Sequence, residues 1–242
     1  MSDDVTLWGD RFAPVTSAMG FLRAPAEEVA DALATWRRGT HGSAQTERRD
    51  GGLRANVSVL EPLTGGVRPR ELVVATSNPE WTALFDCGIQ GGDPSTTVGY
   101  LARELQVQGV TIVSIPDAPA GEGHPERSGA RQFEMFGPIA TDFLNYVRTI
   151  SVVRDGDRWR FDANGTVQEF EDVEMYKRRK VVERFTPSML VDYAAALGLE
   201  PFGGDFFPGP CVLVLNPAVP PSGAVVLSLR DAQRWAGIVP PR

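Results

Sequence analysis

Residues 81–115, WTALFDCGIQGGDPSTTVGYLARELQVQGVTIVSI, decide the fold class. Trp81–Phe85 reads as a strand that runs into a loop dense in glycine, aspartate and proline. From Thr96 to about Gln106, Val98, Leu101, Ala102 and Leu105 recur at helical spacing. Gly109 closes that helix, and Val110–Ile115 (VTIVSI) is a second strand. Strand, helix and strand in so short a stretch predict one crossover unit, with its two strands parallel and right-handed.

Upstream, Pro25–Arg37 reads as a helix. Pro25 suits its first position, Glu27 and Glu28 its positive end, and Arg37 and Arg38 its negative end. Val29, Leu33 and Trp36 share one face. Gly39–Gly52 is polar and glycine-rich, which predicts an exposed loop. Leu53, Ala55, Val57 and Val59 alternate with polar residues and predict a half-buried strand, and Glu71–Thr76 predicts another before an Asn78-Pro79 turn.

The later half turns antiparallel. Arg131–Phe136 and Phe143–Val153 read as strands, and Asp155-Gly156 and Asn164-Gly165 are hairpin signals flanking Trp159–Ala163, so a three-stranded meander is expected. Glu174–Phe185 favours a helix. Thr186-Pro187 starts a further helix with Leu190, Tyr193, Ala194 and Leu197 on one face, ended by Gly198. Cys211–Leu215 is a short buried strand, and Ser228 with Asp231 forms a capping box opening a last helix through Trp235. The expected fold class is therefore α+β, a mostly antiparallel sheet with one strand–helix–strand crossover and helices covering it. Residues 1–242 are read as one domain, and the Pro/Gly-rich stretch 116–129 is where two lobes would meet.

Composition narrows the function classes. The 242 residues are 42% hydrophobic, with 31 acidic against 24 basic side chains and a net charge of −7. Such a chain can bury a full core, and its charge argues against a general phosphate-backbone binder, so nucleic acid is not the expected partner. Cys87 and Cys211 are unclustered and read as buried thiols. The start of the chain is acidic rather than signal-like, and the most apolar stretch, Cys211–Leu229, is broken by Pro217, Pro220 and Pro221. A cytoplasmic protein with no membrane contact is expected. Lys177 and Lys180 are the only lysines, an arginine bias typical of coding from GC-rich bacteria.

Chemistry-bearing motifs are sparse. His41 and His124 are the only histidines, and both fall in polar loops. No Gly-x-Ser-x-Gly turn, His-Glu-x-x-His, Cys-x-x-Cys or calcium-loop pattern is present, so neither metal nor cofactor is expected. The basic run KRRK at 177–180 is bracketed by Glu169, Glu171, Asp172, Glu174 and Glu183, which predicts a salt-bridged face. The loop from Gly88 to Thr97 is the most suggestive local feature. Asp86, Gly91, Gly92 and Asp93 lead into Ser95, Thr96 and Thr97 at a helix start, where free N–H groups suit an anion. The loop lacks the lysine of a nucleotide-binding loop, and Asp93 would repel the anion, so helix capping is favoured over ligand binding. Phe202, Asp205, Phe206 and Phe207 sit in a Gly/Pro loop, where aromatics either plug the core edge or contact a partner.

The segments DGDRWRFDANGTVQEFED (155–172), RFTPSMLVDYAAALGLEPF (184–202) and DFF (205–207) resemble immunity-type proteins of GC-rich bacteria, which bind and neutralise a cognate toxin. The shared features are a Trp-x-Phe hairpin, an Asn-Gly turn and a helix ending in Leu-Gly, over about a fifth of the chain. The resemblance brings no catalytic motif and no site residues with it. It implies a non-enzymatic protein-binding module, and the acidic charge suits a basic protein partner. The expected contacts are Phe202, Asp205, Phe206 and Phe207. The alternative is a small-ligand-binding protein or enzyme using Asp86, Gly91, Gly92, Asp93, Ser95, Thr96 and Thr97. The sequence leaves the oligomeric state open.

Overall fold

A computed structural model describes residues 5–91, 93–121, 124–217 and 223–238. In chain order its elements are β1 (Ala18–Leu22), α1 (Ala26–His41), β2 (Gln45–Arg49), α2 (Leu53–Asn56), β3 (Leu63–Thr64), β4 (Arg70–Ala75), β5 (Thr82–Asp86), α3 (Pro94–Glu104) and β6 (Gly109–Ile115). There follow β7 (Ala130–Phe136), β8 (Tyr146–Asp155), β9 (Arg158–Gly165), α4 (Pro187–Ala196), β10 (Cys211–Leu215), β11 (Val226–Leu227) and α5 (Leu229–Trp235). Nine strands form one sheet in the order β2-β10-β4-β5-β1-β6-β7-β8-β9, and each of these pairings is antiparallel. The α+β class is as expected. Residues 116–129 join β6 to β7, which are neighbours in this same sheet.

The crossover takes a split form. β5 and β6 both pair antiparallel to β1, so they run parallel to each other with β1 between them. β1 itself, AMGFL, carries no alternation because all five residues are buried, and a five-residue run without period gives no sequence signal. β2, QTERR, lies inside the stretch 39–52 expected to be loop. It is an exposed, charged edge strand paired with β10, with Arg48 reaching Glu27 of α1 and Arg49 reaching Asn56.

Three expectations are corrected. Leu53–Val59 is not a strand: a helical turn at Leu53–Asn56 runs into a 3₁₀ turn at Val57–Leu60. Leu53, Val57 and Leu60 are buried at helical spacing, whereas Ala55 of the apparent alternation is exposed. Glu174–Phe185 holds two separate 3₁₀ turns, Met175–Lys177 and Val181–Glu183, in place of a helix. Asn164-Gly165 ends β9 rather than turning a hairpin, with Gly165 at φ 86° closed in by the Val147 carbonyl. Other signals hold. Thr186 Oγ accepts from Met189 N, and Ser228 Oγ accepts from Asp231 N, as caps of α4 and α5.

Alternation along the strands sorts side chains into two layers. On one face Leu22, Val73, Leu84, Val212 and Val214 pack under Val29 and Leu33 of α1 and Val98, Leu101 and Ala102 of α3. On the other, Met19, Phe21, Leu72, Phe85, Ile112, Phe133 and Ile150 pack under Leu53, Val57, Phe185, Leu190 and Tyr193. A buried ion pair ties each layer together. Arg37 of α1 donates from Nε (2.6 Å) and Nη2 (2.5 Å) to Glu71 of β4, and Nη2 also reaches Thr97 Oγ1 of α3 at 3.0 Å. Across the sheet, Arg148 grips Glu171 at 2.9 and 2.6 Å, and Tyr176 donates to the same carboxylate at 2.9 Å.

Helix α3 lies close enough to the sheet to touch its backbone. A Cβ on Gly20 of β1 or on Gly109 of β6 would stand 2.6 Å from a Val98 methyl, so only glycine fits at these two positions. Gly109→Ala should destabilise the protein by about 1–3 kcal/mol through overpacking. Adding Val98→Ala removes the colliding methyls. Thermal unfolding of the double variant is expected to show less loss than the sum of the two single losses, whereas simple additivity would contradict the close approach.

Candidate functional site

On the helical side of the sheet, α1 lies over β2, β10, β4 and β5, and α3 over β5, β1, β6 and β7. Beyond α3 the same face continues as polar side chains at alternate positions: Gln132 and Glu134 on β7, Thr149 and Ser151 on β8, Asp162 and Asn164 on β9. These line a depression of about 830 Å³ together with Thr141, Phe143 and Tyr146. Gln132, Glu134 and Tyr146 are shared with a second depression of about 420 Å³ at the start of α3, lined by Ser17, Gln90, Asp93, Ser95 and Thr96. Ser17, Gln90 and Ile115 are shared in turn with a third of about 450 Å³, which ends at Trp235. Together they form a groove that crosses the open end of the helical layer.

Its floor is acidic. Glu134 Oε2 accepts from Ser95 Oγ at 2.6 Å and from Thr111 Oγ1 at 2.7 Å, so two hydroxyls fix the carboxylate without neutralising it. Among the described residues, none of Asp93, Glu134, Asp142 and Asp162 has an ion-pair partner. The arginines along the groove are committed elsewhere, Arg148 to Glu171 and Arg127 to Asp10. Burial, reinforced by the charges of Glu134 and Asp93, pushes the Tyr146 phenol up to about 12.

The rim is apolar. Ile139, Phe143 and Leu144, in the connection between β7 and β8, are 75%, 69% and 67% exposed. The loop that carries them is hydrogen-bonded at both ends and across its turn. Thr141 N donates to Leu144 O at 2.7 Å, and Asn145 Nδ2 donates to Gly99 O of α3 at 2.9 Å and Gly137 O at 2.8 Å. Leu144 takes a left-handed backbone, φ 56°, which costs a residue with a Cβ about 1–2 kcal/mol. The Phe143 ring stacks on Tyr146 with centroids 5.4 Å apart.

The residues singled out from sequence separate into different places. Phe206 and Phe207 are core residues, packed on Phe21, with Phe207 edge-on to Phe85. Their rings plug the sheet's far face, so in this conformation they offer no surface to a partner. Phe202 is half-buried against the same core, and Asp205 alone of the four is exposed. Asp86 is buried too: it accepts from Gly88 N at 2.8 Å and lies 2.9 Å from Arg68 Nε. It stands opposite Glu71 in the β4–β5 register. Burial pushes both carboxyls above the ordinary range, against the pull of Arg37 on Glu71 and Arg68 on Asp86. Thr97 belongs to this buried network through Arg37. Gly91 is buried against Pro14, and Gly92 lies outside the described residues. Asp93, Ser95 and Thr96 do line the groove, but Asp93 makes no capping bond and Ser95 donates to Glu134. An anion at this helix start would face two carboxylates.

Sequence reading did not single out Glu134, Tyr146 or Asp162. The available signal was the coincidence of polar residues at alternate positions in three consecutive strands, which predicts one uncovered face. His41 is exposed, and both thiols are buried, with Cys211 pushed up to about 11 by that burial. Lys177 pairs with Glu174 and Lys180 with Glu183, as the charge bracketing suggested. Among the described residues no group of three His, Cys, Asp or Glu is placed to hold a metal, and no helix is long and apolar enough to cross a membrane.

Comparison with known proteins finds no family model, no curated protein and no solved structure that matches the chain.

The proximity of Glu134, Asp93 and Tyr146 has a titration signature. In an absorbance titration, the component abolished by Tyr146→Phe should have its midpoint near 12. Glu134→Gln should lower that midpoint by removing a facing negative charge; an unchanged midpoint would contradict the geometry. Because the folded phenol ionises later than an unfolded one, its contribution to stability is complete below pH about 10 and is lost as pH rises toward 12.

Proposed function

We propose that this chain is a protein-binding module that receives a basic segment of its partner in the groove beside α3, and that it neutralises that partner as an immunity-type inhibitor does. The observation that carries the reading is the row of carboxylates at Asp93, Glu134, Asp142 and Asp162, unpaired among the described residues. Carboxylates left without counter-charges along one groove favour a cationic occupant and would steer its approach. The net charge of −7 acts in the same direction.

The test uses peptides of alternating serine and arginine, with the serine–glutamate equivalent as control. The arginine peptide should bind, the glutamate peptide should not, and the affinity should fall as salt is raised. Asp162→Asn and Glu134→Gln should each weaken binding by about 0.2–1 kcal/mol, the worth of a solvent-screened charge pair. Equal affinity for both peptides, or variants that bind as tightly as the parent, would overturn the assignment.

A further inference from the structure

We infer that the groove recognises a bipartite segment, an extended stretch of the partner in which a large apolar side chain lies beside arginine or lysine, with the apolar group seated on the β7–β8 loop. This deepens the function proposed above and rests on it. The loop presents Ile139, Phe143 and Leu144 to solvent, and these three gain little from the fold that displays them. Leu144 holds a left-handed backbone in which glycine would be the unstrained choice. The loop is nonetheless fixed, by Thr141 on the Leu144 carbonyl and by Asn145 on Gly99 of α3. An apolar surface kept rigid and exposed at a conformational cost is the signature of an anchor site.

Two observations decide its occupant. Phe143 stacks on Tyr146, and both line the depression that holds Glu134 and Asp162, so the apolar anchor and the carboxylates belong to one continuous surface. Asp142 lies within the loop itself and has no ion-pair partner among the described residues. A second copy of this acidic chain, or an anionic bilayer, would meet these carboxylates with like charge; a basic polypeptide meets them with opposite charge. Protein contacts combine apolar anchors with charged groups beside them.

The experiment compares two peptides on the full chain: alternating arginine and serine, and the same peptide with one central leucine. The leucine peptide should bind about tenfold more tightly. In Phe143→Ser and in Leu144→Gly the ratio of the two affinities should fall toward one. The melting temperature of Leu144→Gly should not fall, since glycine relieves the left-handed strain, so a lost preference could not be blamed on unfolding. If the arginine–serine peptide binds but leucine adds nothing, or the ratio survives both variants, the anchor inference is overturned and the acidic groove stands. If neither peptide binds, the groove reading fails with it. Self-association in sedimentation, or pelleting with phosphatidylcholine vesicles, that disappears in Phe143→Ser would assign the loop to a second copy or to a bilayer and would also overturn the inference.

Discussion

Helix α3 rests on bare backbone. Gly20 and Gly109 leave room for Val98 between β1 and β6, and Gly99 in turn faces the ring of Phe136. Because the helix sits this low, its first turn comes level with the strand side chains instead of riding above them. Ser95 reaches Glu134 on β7, and Thr97 reaches the Arg37–Glu71 pair. One turn further, the Gly99 carbonyl accepts from Asn145 and so fixes the loop that carries Phe143 and Leu144. The carboxylate floor of the groove and its apolar rim are thus set by the same close approach.

The two buried ion pairs divide the remaining work. Arg37 and Glu71 join α1, β4 and α3 on the helical side; Arg148 and Glu171 anchor the long connection after β9 on the other. Both carboxylates are gripped by a two-point guanidinium fork, the geometry in which a desolvated pair can be retained. Removing either partner alone would leave an uncompensated buried charge, at a cost of about 3–5 kcal/mol. Both guanidinium groups are taken up by these pairs, and the groove's carboxylates have no cation partner among the described residues.

Much of the fold was legible because strong periodic signals coincide with short turns. The helix at 94–104, the strands around it and the 146–165 hairpin follow directly from apolar spacing and turn chemistry. Signals failed where burial was complete or absent. β1 is buried on both faces and has no period; β2 is exposed on both and has no apolar residue to show. Leu53–Leu60 misled because Val59 and Ala55 supply a spurious alternation beside the helical set Leu53, Val57 and Leu60. The candidate site was less legible still. Phe206 and Phe207 drew notice as loop aromatics, yet aromatics in a short loop fold back onto the nearest apolar layer, here Phe21 and Phe85. Glu134 and Asp162 lie on the outer two strands of a three-strand meander, and only the register of β7, β8 and β9 brings them onto one face. What sequence did supply was the acidic excess and the start of α3, a small part of the groove's lining without its geometry.

The proposed recognition surface is the uncovered face beside α3 in place of the Phe202–Phe207 loop. Backbone amide shifts, followed as an arginine-containing peptide is titrated into the labelled protein, locate the contact residue by residue. Shifts are expected along Gln132–Glu134, Thr149–Ser151, Asp162–Asn164 and the first turn of α3, with Gly204–Phe207 unmoved. Shifts confined to Phe202–Phe207, or a spectrum unchanged at saturating peptide, would contradict it.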